Sequence, residues 1–539
     1  MTGECLLVAG YAPPVTAFAR YRLASQLFQK KSIDKLIADA HAPGHQLRKS
    51  LGPWSLTALG IGAIIGTGIF ILTGTAAAGE VLEVQSLLKA PLLEVLLHGS
   101  KAMGAGGRPG AGPAIALSFL LVAIACALAG LCYAELASMI PIAGSAYTYS
   151  YATLGEIVAW IIGWDLILEY AVSNMAVAVG FSAYVDSLLR GFGIELPRKL
   201  MEPMFVEGNY TGSYFNVPGF LIVMILTVIL VVGIRESAGA NNAMVCIKIL
   251  AILIFIVAAS RFIHVSNWKP FMPNGWQGVL TGGAIVFFTY IGFDSVSTAA
   301  EECTNPQKDV PFGIIASLVI CATLYVTVAL VLTGVQHWQT LRNAAPVANA
   351  LVALGLTNVM KWVTIGALTG MVSSMLVFQL GQARVWFAMS RDGLLPAVFS
   401  RVHKRFLTPH ISTWVAGFFV AIPAGMFDIG TLADLSNIGT LFAFVLVSLG
   451  VLVLRRTQPE RRRSFRTPWV PVVPILSIVA CVILMASLPV ETWVRFFVWL
   501  AIGLVIYLSY SRHHSEFGRA PRTLPETDST VATPGISLT

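Results

Sequence analysis

Residues 60–70 read GIGAIIGTGIF, and residues 282–297 read GGAIVFFTYIGFDSVS. Each lies inside a long apolar run. Both share a Gly-Ala-Ile step, starting at Gly62 and Gly283, and both end in Gly-x-Phe or Gly-Phe, at Gly68-Ile69-Phe70 and Gly292-Phe293. Counting apolar runs from the N-terminus, they are the first and the sixth. Glycine-interrupted spans at matching places in two halves of a chain point to a transporter site between inverted repeats. A helix broken at mid-membrane exposes N–H groups where one half begins and C=O groups where the other ends, and hydrocarbon offers these no partner. A zwitterionic amino acid supplies both kinds: its carboxylate suits the N–H end of the outer half of span 1, and its ammonium suits carbonyls ending the first half of span 6. Two other readings compete. Glycines in membrane helices also serve close helix packing. Gly60-x-Gly62 opens like a dinucleotide fingerprint, but that motif needs a strand before it, and this one sits in an apolar helix.

Working outward, the whole chain is poor in charge. Of 539 residues, 12% are Asp, Glu, Lys or Arg and 56% are hydrophobic, against about 25% charged in an ordinary soluble domain. That excludes a soluble multidomain enzyme, a disordered scaffold and a nucleic-acid reader. The net charge of +8 fits basic cytoplasmic loops of a membrane protein. The cysteines are scattered, with no CxxC pair, so neither a disulfide framework nor a zinc site is expected. No HExxH and no GxxxxGK[ST] occurs, so no catalytic metal, cofactor or P-loop is expected. The N-terminal stretch carries Arg20, Arg22, Lys30 and Lys31 with no cleavable apolar core before them.

Twelve apolar spans are expected, near 55–78, 113–138, 156–189, 217–234, 241–261, 278–300, 312–335, 360–389, 411–427, 435–454, 470–488 and 492–510. About two thirds of the Lys and Arg fall on the side of the N-terminal tail, densest at Arg455, Arg456, Arg461, Arg462, Arg463 and Arg466; the positive-inside rule then puts both termini in the cytoplasm. That cluster reads as a topology signal or as a lipid-headgroup site. Asn209-Tyr210-Thr211 forms a glycosylation triplet on the outer side.

Ionisable residues at membrane depth are functional candidates. Lys248, in NNAMVCIKILAILIFI, lies up to two turns into span 5. It is a candidate to take up and release a proton, or a structural cation satisfying carbonyls at the span 1 break. Asp165 and Glu169 are spaced i, i+4 in span 3 and share a face. Glu169, the deeper, is a candidate proton acceptor or a partner for Lys248, or it makes a structural hydrogen bond. Asp294 is expected to cap the second half of span 6. Glu135, Glu301 and Glu302 are expected to serve gating or topology.

Five segments then carry a family resemblance: LGPWSLTALGIGAIIGTGIFILTG (51–74), AGPAIALSF (111–119), CYAELASMIPIAGSAYTYSYATLGEIVAWIIGWDLILEYA (132–171), FFTYIGFDSVSTAAEECTNPQKDVPFGIIASL (287–318) and GQARVWFAMSRDGLLP (381–396). The chain resembles a bacterial member of the amino acid–polyamine–organocation superfamily, near its cationic amino acid transporter branch. The resemblance implies an all-α membrane protein with a LeuT-type 5+5 inverted repeat, two extra helices, and discontinuous helices 1 and 6. It implies a cytoplasmic tail at 1–53, a permease domain at 54–511 (repeats about 54–261 and 278–454, extra helices about 470–511) and a second tail at 512–539. Residue by residue, Ile64, Thr67 and Gly68 match carboxylate-binding positions, with Gly66 giving local backbone freedom. Phe288, Thr289 and Ile291 match those that receive the ammonium. Lys248 matches a span 5 lysine standing where sodium-dependent relatives hold Na⁺, although Ser373 and Ser374 resemble sodium ligands. Phe378 matches a position facing the substrate side chain, where its bulk favours neutral amino acids; packing or lipid contact is the other reading.

The expected function is therefore secondary active transport, an amino acid:H⁺ symport of neutral L-amino acids across a bacterial inner membrane. A cationic amino acid uniporter or exchanger is the alternative, and a non-transporting amino acid sensor a more distant one. The expected partners are the amino acid, the proton and the bilayer, with no nucleic acid. The chain departs from the family at 80–109, an outer insertion broken by Pro91 that reads as a tolerated loop, a membrane-surface segment or a partial cover of the entrance.

Overall fold

The computed structural model of the protein describes residues 27–40, 51–81, 86–99, 107–142, 144–206, 209–232, 237–406 and 408–516. Most of both expected tails, including Arg20 and Arg22, and residues 82–85 and 100–106 of the insertion lie outside these. The described chain is mostly helical. After a short helix α1 (Ile33–Ala40), the first span is split into α2 (Pro53–Ile64) and a second half made of a π-helical turn, Gly68–Leu72, running into α3 (Thr73–Ala78). A short α4 (Leu92–His98) follows, then α5 (Ile115–Met139), α6 (Ser145–Thr153), α7 (Glu156–Gly191), α8 (Val217–Val232) and α9 (Ser237–Ser260). The second half of the chain contributes α10 (Gly275–Val286), α11 (Ser295–Thr298), α12 (Pro306–Val335), α13 (Pro346–Ala353), α14 (Thr357–Arg391) and α15 (His410–Met426). It closes with α16 (Ile429–Thr457), α17 (Val472–Ala486) and α18 (Val490–Ile506).

Among the described residues, eight helices are long and apolar enough to cross a membrane, or nine with the bent first pair counted as one; α8, α15 and α17 are apolar but shorter. Pro at the first turn of α2 and α12 suits those starts, where no intrahelical N–H bond is lost.

The packing places the broken segments at the centre. α2 lies against α9, α12 and α14, while α7 packs on α14, α16 and α8. On the flank, Trp160, Trp164 and Trp499 stack nearly parallel, and Trp164 and Trp499 each donate an indole N–H to the other's carbonyl. This fastens α18 to α7. The insertion opens and closes with paired strands, β1 (Gly79–Val81) and β2 (Gly107–Pro109), antiparallel with Glu80 opposite Arg108. Arg108 is buried and donates Nε and Nη2 to the two carboxylate oxygens of Glu80 (2.7 Å each) and Nη1 to Asp434 of α16 (2.9 Å). Backbone bonds from Leu92 N to Leu488 O and from Val490 N to Ala90 O dock the middle of the insertion on the α17–α18 turn. A second strand pair joins β3 (Phe205–Val206) to β4 (Asn209–Tyr210), and the three residues of the glycosylation triplet are exposed.

The basic cluster at 455–466 is partly consumed by the fold. Arg463 and Arg455 both reach the buried Glu135 carboxylate, at 3.0 and 2.8 Å, and Thr467 N donates to it at 2.8 Å. Arg461 pairs with Asp34, while Arg456, Arg462 and Arg466 are exposed. Glu302 pairs with Arg384.

Candidate functional site

The α2 helix loses its hydrogen-bond ladder at Ile64. Ile65 turns to φ −81°, ψ 90°, and the chain resumes as helix at Gly68, bent by 43°. In the sixth span, α10 stops at Val286, tightens into a 3₁₀ turn over Phe287–Tyr290, and extends at Ile291 (φ −60°, ψ 138°) before α11. Gly292 sits at φ +115° with Ala63 so near that a Cβ would lie 2.7 Å from the Ala63 methyl; only glycine suits both demands. A Cβ on Gly68 would lie 2.5 Å from Thr289 Cγ2 and 2.9 Å from Thr289 Cα. The two interruptions therefore face and touch each other, and their glycines serve that approach.

The freed carbonyls have identifiable partners. Lys248, fully buried on α9, donates Nζ to Gly62 O (2.7 Å) and Ile65 O (2.9 Å). Ser374 Oγ of α14 lies within 2.8–3.2 Å of the Gly62, Ala63 and Ile65 carbonyls. Ser373, by contrast, donates to Asn241 Oδ1. Tyr325 of α12 reaches both breaks at once: its hydroxyl is 2.9 Å from Ile64 O and 3.0 Å from Thr289 O. A phenol has one hydrogen to donate, so it satisfies one of these carbonyls at a time.

The remaining candidates sit around this centre. Thr67 is buried and donates Oγ1 to Val177 O (3.2 Å). Gly66 abuts Ser374 Oγ, which a Cβ would approach to 2.9 Å. Thr289 turns its hydroxyl back to Val286 O (2.7 Å), and Phe288 is buried. Phe378 is buried with its ring 6.2 Å from that of Tyr170, so lipid contact does not describe it.

Two expectations about charge change. Glu169 does not pair with Lys248: the ammonium takes the span 1 carbonyls, and both Glu169 oxygens lack a hydrogen-bond partner. Asp294 precedes α11 but its side chain makes no cap bond. It accepts the Tyr170 hydroxyl at 2.8 Å, with Ser145 Oγ at 3.5 Å, because α6 and α7 present donors on that side. Asp165, on the Glu169 face, is also buried without a hydrogen-bond partner and lies against Gly439.

Sequence reasoning missed Tyr325 and noted Ser374 only for its resemblance to a sodium ligand, not for its contact with the first break. A signal for Tyr325 existed: a buried tyrosine usually needs a partner for its hydroxyl, and this one interrupts an otherwise apolar run. Chemically, the arrangement gathers backbone rather than side-chain polarity where the two breaks meet, with one cation, Lys248, bonded to it.

Comparison with known proteins agrees with that chemistry. A sequence profile described as "Amino acid permease" matches residues 51–508. The chain is 47% identical over 499 residues to the branched-chain amino acid permease BcaP of Bacillus subtilis, covering 92% of this chain and all of that protein. It is 45% identical to the methylthioribose transporter of the same organism, over 91% of this chain and 99% of the relative. It is 35% identical to cationic amino acid transporter 4, vacuolar, of Arabidopsis thaliana, over 81% of this chain and 68% of the relative.

Proposed function

The chain belongs to the amino acid permease family, and from that premise we propose that it is a secondary active transporter, an amino acid:H⁺ symporter for neutral L-amino acids working by alternating access. The observation that carries this is the meeting of two unwound segments, with Gly68 against Thr289 and Tyr325 between the Ile64 and Thr289 carbonyls. The substrate carboxylate lies at Ile64, Thr67 and Gly68, facing the positive end of the outer half-helix. Its ammonium lies on the carbonyls of Phe288, Thr289 and Ile291. Phe378 limits the side-chain space.

Lys248 is the coupling group in this proposal. A protonated lysine holds two carbonyls of the first break; a neutral one holds them less firmly, so the proton state biases the position of α2. Glu169 is a second proton carrier, buried without a hydrogen-bond partner. The three shorter apolar helices join the nine longer spans to give twelve, arranged as a LeuT-type 5+5 repeat with two extra helices. The protein resides in a bacterial inner membrane with both termini cytoplasmic.

The neutral preference is supported by Phe378 and by the name of the BcaP relative. The Arabidopsis relative's name favours the alternative, a cationic carrier. The test is uptake into proteoliposomes, with a counterflow panel of the twenty amino acids and methylthioribose. Uptake driven by an inward proton gradient and competed by branched-chain amino acids is expected. Strict sodium dependence overturns the coupling, competition by arginine alone selects the cationic carrier, and binding without flux selects a sensor.

A further inference from the structure

A cavity of about 230 Å³ opens at the α7 C-terminal end, beyond the first break, among α7, the 198–203 segment, Asn216 and the residues that start α16. Its floor is Ile71, Val179 and Gly180. A Cβ on Gly180 would stand 2.2 Å from Thr67 Cγ2, so one residue's thickness separates this cavity from the break. Its rim carries charges of both signs: Arg190 and Arg198 against Asp186, Glu202 and Asp428. Arg190 pairs with Asp186 at 2.9 Å along α7. Within the wall, Asn216 is 1% exposed; its Oδ1 accepts Gly219 N at 3.0 Å, and its amide Nδ2 has no hydrogen-bond partner.

An apolar floor, a rim that carries cationic Arg198 and anionic Glu202 beside the Arg190–Asp186 pair, and a buried N–H donor with nothing to donate to are the elements that recognise a small zwitterion with an apolar side chain. Pockets of this kind combine apolar lining with a few placed polar groups. The volume is below the drug-sized range of about 300–1,000 Å³, which suits a single amino acid. We infer that this cavity is a second binding site for an apolar L-amino acid. Its carboxylate sits on Arg198, Arg190 and the Asn216 amide, its ammonium on the acidic rim, and its side chain on Ile71 and Val179. The site deepens the transport reading and rests on it: an amino acid held here queues directly outside Thr67, on the face that the charge distribution makes outer.

Equilibrium binding of tritiated leucine to the purified full chain in lipid nanodiscs tests it. Wild type is expected to bind two equivalents. The double variant Arg190→Gln/Arg198→Gln is expected to bind one and to raise the KM of uptake about tenfold. Asn216→Asp keeps the oxygen that accepts Gly219 N, so the start of α8 is preserved. It removes the free donor and repels a carboxylate, and it is also expected to bind one equivalent. One equivalent in an otherwise active wild-type transporter overturns the second site alone. So do two equivalents retained in folded double and Asn216→Asp variants. If no amino acid binds or exchanges at all, the transport reading fails first and this site with it.

Discussion

Tyr325 is the residue on which the two broken segments most directly depend. Its hydroxyl faces two carbonyls with one hydrogen, and under the proposed transport reading an arriving ammonium would supply the donor that the protein leaves one short. Tyr325→Phe keeps the ring and removes the donor. It is expected to lower thermal stability modestly, by about 1–3 kcal/mol, and to cut counterflow at least tenfold; unchanged counterflow would show that the bridge is only structural. Lys248→Met is the companion experiment. The thioether fills similar space but cannot hold Gly62 and Ile65, and it carries no proton. Gradient-driven accumulation is expected to vanish. Accumulation at the wild-type level would restrict Lys248 to a structural role. A two-cycle analysis of these substitutions should be non-additive, because both residues act on carbonyls of residues 62–65.

Among elements, the insertion that looked most dispensable is firmly attached. Arg108 of β2 joins Glu80, directly after the second half of the first span, to Asp434 of α16. Removing the cation from such a buried cluster leaves two carboxylates facing each other, and breaking a buried pair this way costs about 3–5 kcal/mol. Arg108→Met is expected to lower the thermal midpoint accordingly, and adding Glu80→Gln and Asp434→Asn should restore much of it. A midpoint unchanged by Arg108→Met would mean that the strut bears no load. Sequence indicated where the segment begins and ends but not this attachment, since Arg108 and Asp434 lie 326 residues apart and no local pattern links them. The same holds for Glu135 with Arg463. Broken helices, by contrast, were legible, because glycine spacing is a local signal and the need to satisfy backbone groups in hydrocarbon is general. The Asp294 cap failed for the opposite reason: a local rule was overridden by donors on α6 and α7.

For the whole molecule, hydropathy alone foretold a bundle of apolar helices, while the contacts that tie its ends together were out of reach of any sequence window. One such tie is the cluster of Lys31, Lys35, Asp392 and Glu516, with Tyr147 donating to Asp392 at 2.6 Å. Burial disfavours the charge on Glu516, but Lys35 and Lys31 outweigh it and hold this carboxyl below its ordinary 4.5. Burial likewise disfavours the Lys31 ammonium, yet Asp392 and Glu516 outweigh that and raise it above its ordinary 10.5. A depressed acid contributes stability above its unfolded pKa and loses it as pH falls through the folded one; a raised base contributes below its unfolded pKa and loses it as pH rises through the folded one. The clasp is therefore complete between about pH 4.5 and 10.5. Wild type should be more heat-stable than Glu516→Gln at neutral pH, and the difference should shrink as pH falls below about 4.5 and vanish once the carboxyl is protonated in the folded protein as well. A difference that persists there would assign the effect to packing. The pairing of Glu135 with Arg455 and Arg463 has a consequence in time. Residue 135 leaves the ribosome long before residue 463, so the carboxylate is made well before the arginines that answer it. If the 455–466 loop is retained in the cytosol by its positive charge, two of the arginines that keep it there are then withdrawn into the protein. The same guanidinium groups would act first as an address during biogenesis and afterwards as a fastening, and a late-arriving segment would seal a helix laid down near the start.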